Sequence, residues 1–159
     1  MIRSLALLAA FALPATLHAQ LNMNAPAKTK AYVVYASEPQ SVAANKTAAL
    51  SLRFQIVTGF HINSHTPKSQ FLIPTVLTLQ PAAGVKAGEP QYPAGQSYSF
   101  SFDPGDKLDV YAGSFTVRVP VTAAAGSHTL EGSLRYQACD NASCYPPRTV
   151  PVKVLFAAK

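Results

Sequence analysis

Apolar and polar side chains alternate in short runs through most of the chain, and turn-forming residues separate one run from the next. In Leu50-Ser51-Leu52-Arg53-Phe54-Gln55-Ile56 every second side chain is apolar, which gives a strand one buried face and one wet face. Phe115, Val117, Val119 and Val121 repeat the pattern with Thr116 and Arg118 opposite. Val150, Val152, Val154 and Phe156 repeat it against Pro151, Lys153 and Leu155. Further β-rich runs stand at 31–36, 75–79, 85–89, 97–102 and 128–138, with turn signals such as Asp103-Pro104-Gly105-Asp106 between them. The pattern predicts about eight or nine antiparallel strands, hence an all-β, immunoglobulin-like antiparallel β-sandwich, with a small β-barrel as runner-up. The 13 prolines scattered along the chain oppose long helices.

Residues 1–19 follow another rule. Arg3 supplies a positive start, Leu5 to Leu13 an apolar run, Pro14 a break, and Leu17-His18-Ala19 a small residue before Gln20. That is the plan of a secretory signal peptide, too short to be a stable membrane insertion. Gln20 stands where a lipoprotein would need cysteine. Residues 20–30 are polar and aperiodic and read as a flexible leader, so 31–159 form the domain.

Composition narrows the class. A chain of 159 residues, 48% hydrophobic, fits one domain and excludes wholesale disorder. Without residues 1–19 the formal charge falls from +6 to +5, because only Arg3 is lost. Export implies an oxidising compartment, most simply a bacterial periplasm. The cationic residues are dispersed from Lys28 to Lys159. A nucleic-acid partner would require a basic stripe with interleaved aromatics, so none is expected, and the charge serves solubility.

The two cysteines, Cys139 and Cys144, enclose Asp140-Asn141-Ala142-Ser143, four turn formers between strand-like flanks. Facing residues of an antiparallel pair lie at Cα separations that overlap the disulfide window, so a bond across this hairpin tip is geometrically easy. Such a bond closes a six-residue loop and contributes about 2 kcal/mol by chain entropy, the low end for a disulfide. A domain of this size does not depend on that help. A sandwich staple would instead join the two sheets over a long span with a Trp packed on it, and this chain has no Trp. A short loop at a turn is expected to keep both sulfurs near the surface, open to a partner's thiolate. Redox exchange, a local clip and half of a metal site all remain open on these residues alone.

The string Tyr136-Gln137-x-Cys139-x4-Cys144-Tyr145-Pro146-Pro147, followed by Thr149-Val150-Pro151-Val152, resembles the N-terminal periplasmic domain of the DsbD thiol:disulfide interchange family. Gly59-Phe60-His61-Ile62-Asn63-Ser64, Leu72-Ile73-Pro74-Thr75, Tyr92-Pro93 and Val110-Tyr111 extend the resemblance over about residues 31–156. It implies an immunoglobulin-like fold whose cysteine pair passes electrons between a membrane-linked thiol donor and thioredoxin-like periplasmic oxidoreductases. It also implies that Cys144 makes the mixed disulfide with partners and that Cys139 resolves it. The family shields its disulfide with an aromatic cap loop, which corresponds here to about 100–106 and implies Phe102, with Phe100 second, as the cap. In both cases core packing is the competing reading, since Tyr98, Phe100 and Phe102 alternate as a strand face does. The best-known member has one residue more between its cysteines. The full family protein continues into a transmembrane hub and a thioredoxin-like domain, so an end at Lys159 leads one to expect the reductant in another protein.

Local charge points the same way as the family. Asp140 disfavours a thiolate at Cys139, and Arg148 favours one at Cys144. His61 and His65 are four apart, but Gly59 and Pro67 bracket them and no helix aligns them, so no metal is assigned. No nucleophile elbow, P-loop or dinucleotide fingerprint is present, and no cofactor is expected. The rival class is a non-catalytic exported β-sandwich that binds another component and uses Cys139–Cys144 as a local structural disulfide.

Overall fold

The computed structural model describes residues 30–100 and 103–159, which form twelve strands and no helix. The residues expected to be signal peptide and most of the leader (1–29) lie outside the described part. Among the described residues no helix is long and apolar enough to cross a membrane.

The strands are β1 (Val33–Ala36), β2 (Gln40–Val42), β3 (Ala48–Ile56), β4 (His61–Asn63), β5 (Val76–Leu79) and β6 (Val85–Ala87). They continue with β7 (Gln96–Phe100), β8 (Asp103–Ala112), β9 (Ser114–Ala123), β10 (Gly126–Tyr136), β11 (Ala138–Cys139) and β12 (Arg148–Ala158). One sheet has the order β1-β3-β9-β6 and a second the order β2-β12-β10-β5. The alternation seen in the sequence sets the register between them. Leu50, Leu52 and Phe54 pair with Val119, Val117 and Phe115, and all six face inward. Leu130 and Leu134 of β10, with Val152, Val154 and Phe156 of β12, form the opposing wall of the same core. Two sheets sharing one apolar interior make an immunoglobulin-like sandwich and dismiss the barrel. Every pairing is antiparallel except β2 with β12, which is parallel.

A third sheet, β11-β4-β8-β7, extends from one end of the sandwich. Three of its four strands are run-ons of core strands: β3 leads to β4, β8 continues into β9, and β10 into β11. The β8–β9 corner is turned at Gly113, whose φ of +68° lies in the left-handed region that glycine tolerates. Gly113 also accepts hydrogen bonds at its carbonyl from the Ile56 N–H (2.7 Å) and the Gln55 side-chain amide (3.1 Å), so β3 and the corner are tied together.

The expected turn at Asp103–Asp106 needs correction. These residues belong to β8, and Phe100 pairs with Asp103 in the β7–β8 hairpin. A register irregularity of the β7–β8 pair lies between Tyr98 and Phe100. The Asp103 carboxylate accepts from the Asp106 N–H at 3.4 Å, a local bond typical of turn-forming Asp. β4 reaches β8 only from Val110 to Ala112, so Pro104 displaces no bond to that neighbour.

Candidate functional site

The cysteine pair sits where the third sheet ends. Cys139 closes β11, and the chain turns through Asp140–Ser143 back to Cys144, which bridges Cys139 in an antiparallel pair. The disulfide is formed, with the two Cα atoms 4.0 Å apart. Asp140 builds the turn: its Oδ1 accepts from the N–H groups of Ala142 (2.8 Å) and Ser143 (2.9 Å), and its N–H donates to the Ser143 carbonyl at 3.0 Å. Its other oxygen accepts from the Tyr145 hydroxyl at 2.5 Å. Below the pair, the Tyr145 N–H donates to the Ala138 carbonyl at 2.8 Å.

The two sulfur-bearing residues differ sharply in exposure. Cys144 is exposed, whereas Cys139 is fully buried at 0%. The expectation of two surface sulfurs is therefore wrong for Cys139. A sequence view of a hairpin tip omits what covers its inner strand, and β4 lies beside β11 with His61 directly opposite Cys139.

A buried amide network holds that inner strand. The Asn63 side-chain amide donates to the Ile73 carbonyl (3.0 Å) and to Gln137 Oε1 (3.1 Å). The Gln137 amide in turn donates to the Tyr145 carbonyl at 3.2 Å. One chain of bonds thus runs from β4 through the residue before β11 to the residue after Cys144.

Aromatic rings flank the turn on two sides. On one side, Tyr98 of β7 packs on His61 with ring centroids 4.0 Å apart, and its hydroxyl donates to Asn141 Oδ1 at 2.9 Å. Phe100 stands 6.0 Å from the His61 ring and edge-on to Tyr98 at 5.5 Å. Phe102 lies outside the described residues. On the other side, Tyr145 stacks on Tyr32 at 5.1 Å, and Phe60 packs against Tyr32 at 4.7 Å. Two cations join this second cluster. Lys30 Nζ lies 4.8 Å from the Phe60 centroid and the Arg148 guanidinium 5.5 Å from that of Tyr32, both within cation–π range.

The electrostatics follow from these contacts. The Tyr145 hydroxyl, then the Ala142 and Ser143 amides, hold the Asp140 carboxyl below its ordinary value. The same bond to Asp140 pushes the Tyr145 phenol up. Burial pushes His61 below the usual histidine value, and the Asp140 charge opposes that shift. His61 and His65 do not converge: His65 stacks on Tyr92 at 3.8 Å and contacts the Thr75 carbonyl through Nδ1 at 3.0 Å.

Sequence reasoning brought out Cys139, Cys144 and Phe100, and the structure gathers these around one turn. It missed His61 as the neighbour of Cys139 and Tyr98 as the partner of Asn141. It read Asp140 only as a charge, although Asp followed three residues later by Ser in a turn stretch is itself a signal of side-chain-to-backbone bonding.

Curated proteins provide no match. Among solved structures, the reduced Neisseria meningitidis DsbD N-terminal domain is 21% identical, with 73% of this chain and 86% of that one covered at a TM-score of 0.46. The same organism's DsbD N-terminal domain in complex with the PilB N-terminal domain is 22% identical, covering 83% and 87% at a TM-score of 0.47. The N-terminal periplasmic domain of ScsB from Proteus mirabilis is 10% identical, covering 76% and 43% at 0.47. The family model for the N-terminal part of the thiol:disulfide interchange protein DsbD matches residues 30–155, a span that includes most of the two main sheets, the cysteine turn and both aromatic clusters. The chain therefore belongs to the DsbD N-terminal domain family.

Proposed function

We propose that this domain is a periplasmic thiol:disulfide interchange module that relays electron pairs through Cys139 and Cys144. It is exported by residues 1–19 and exchanges with thioredoxin-like oxidoreductases or a membrane-linked thiol donor. The observation that carries the reading is the unequal exposure of the pair, with Cys144 open to solvent and Cys139 sealed. Exchange needs one sulfur that a partner can reach in line and a second that is held ready but out of competition. A clip has no use for that difference. Family membership supports the same division of labour, with Cys144 meeting the partner and Cys139 resolving the adduct. Phe100 and Phe102 are the family's candidates for shielding the pair between encounters, and Tyr98 joins them through its bond to the turn.

In the outward reaction, the Cys144 thiolate attacks a partner disulfide and releases one partner thiolate. Cys139 then attacks Cys144, re-forms the bond within the domain and releases the second. Two electrons pass to the partner. The reduction potential of the pair tests the reading. A working exchange pair lies above about −300 mV, whereas a value below it identifies a structural clip in a binding module. N-terminal sequencing of envelope material tests the export step, with Gln20 as the expected first residue.

A further inference from the structure

The β4–β11 ladder places His61 directly opposite Cys139. Opposed residues of an antiparallel pair project from the same face with Cβ atoms about 4.5–5.5 Å apart. His61 is only 4% exposed, and its Nε2 is buried without a hydrogen-bond partner among the described residues. A buried polar atom left unpaired lowers stability, so a side chain chosen for packing alone would be apolar. The groups facing the ring are few. β7 presents Tyr98 at 4.0 Å, the cysteine turn presents the Asp140 carboxylate, and β8 presents uncharged Ala112 in register. Cys139 is the reacting group beside it.

We propose that His61 takes the Cys139 proton when that thiol resolves a mixed disulfide at Cys144, and relays a proton from solvent back to Cys139 when the pair is reduced again. The proposal rests on the exchange reading and deepens it. Cys139 is wholly buried, and a thiolate formed there needs both a place for its proton and a compensating charge. In the resolving step the Cys139 S–H proton passes to Nε2 while the sulfur attacks Cys144 Sγ. The bond from Cys144 to the partner breaks, and the partner leaves as a thiolate that carries the electron pair. The imidazolium left behind is favoured by the Asp140 charge and then loses its proton to solvent. In the reverse direction a donor thiolate attacks exposed Cys144, Cys139 departs with the electron pair of the broken S–S bond, and a proton taken up from solvent reaches it through His61. Burial keeps the ring neutral at neutral pH, as a base must be.

The test uses the reduced mature protein and the aromatic disulfide dithionitrobenzoate, whose coloured thiolate is released once when Cys144 attacks and again when Cys139 resolves. In His61→Gln the first release stays within about twofold of wild type, while the second slows roughly a hundredfold at neutral pH and loses its low-pH limb. A second release as fast as wild type, or equal slowing of both, overturns the proposal, because a purely structural residue would not act on one phase alone. Asp140→Asn guards against misfolding of the first variant. Without that carboxylate His61 binds its proton less tightly, so the limb of the second phase moves to lower pH. A limb that stays in place, or rises, also overturns the proposal. Failure of the exchange reading looks different: wild type then releases both equivalents without ordered phases, and Cys139→Ser and Cys144→Ser react alike.

Discussion

The Tyr98 hydroxyl donates to Asn141 Oδ1 at 2.9 Å, joining the β7–β8 hairpin to the tip of the turn between the two cysteines. The two residues are 43 positions apart in the sequence, and their bond is a direct polar contact between the hairpin and the turn tip. If the hairpin guards the turn, breaking this bond opens Cys144 to solvent reagents. A single hydrogen bond contributes about 0.5–1.5 kcal/mol net, which corresponds to about two- to tenfold in an opening equilibrium. In a Cys139→Ser background, Tyr98→Phe is expected to raise the rate of Cys144 alkylation by iodoacetamide by that factor, with little change in melting temperature. An unchanged rate would show that the hairpin does not guard the turn.

Unequal burial predicts unequal trapping. Cys139→Ser leaves exposed Cys144 free to form a mixed disulfide that cannot be resolved, so covalent adducts with thioredoxin-like periplasmic proteins accumulate on a non-reducing gel. Cys144→Ser leaves only a sealed thiol and traps little. Equal trapping by the two variants contradicts the assignment of roles, and no trapping by either across a panel of partners favours the binding-module class.

Removing both sulfurs is expected to leave the fold standing. The loop they close is short, and its closure contributes about 2 kcal/mol against a typical stability of about 5–15 kcal/mol. The core from Leu50 to Phe156 does not involve the turn. Urea unfolding of Cys139→Ala/Cys144→Ala is expected to give a lower midpoint with an unchanged slope. Unfolding at room temperature without urea would make the disulfide a structural requirement.

Acid is expected to weaken the fold in two stages. His61 is held below 6.5 by burial, so the unfolded chain takes up the proton first, and stability falls as pH drops through 6.5 toward the folded value. Asp140 is held below 3.8 by Tyr145 and the turn amides, so the unfolded carboxyl is again protonated first and stability falls further below 3.8. Both shifts have the same sign, giving stability that is complete above about pH 7. Melting temperature against pH measures the curve, and His61→Gln is expected to flatten its upper stage while leaving the lower one.

The strands that alternate cleanly were legible in the sequence because burial on one face leaves a period of two. Leu50 to Ile56, Phe115 to Val121 and Val150 to Phe156 all occupy the faces expected of them. The short strands β2 and β4 were not legible and β11 was not separated from the run at 128–138, since two or three residues display no period of their own; β6 was read only as part of the longer run at 85–89. β4 is also buried at all three of its residues, so no alternation exists to be read. The cysteines were legible as chemistry, but the sealing of Cys139 was not, because it comes from His61 across a ladder that only the tertiary fold creates. Asp103–Asp106 misled because local turn chemistry was real but was used inside a strand.

The third sheet joins contacts of very different sequence separation. Cys139 and Cys144 are joined by a short loop that closes at low entropic cost, so they can meet while the chain is still emerging unfolded. His61 and Tyr98 arrive only when β4, β8 and β7 are in place, and those strands are seated by long-range pairing in the sandwich. The disulfide is thus a local link that the chain can form by itself, whereas the surroundings that bury Cys139 exist only in the completed β-sheets.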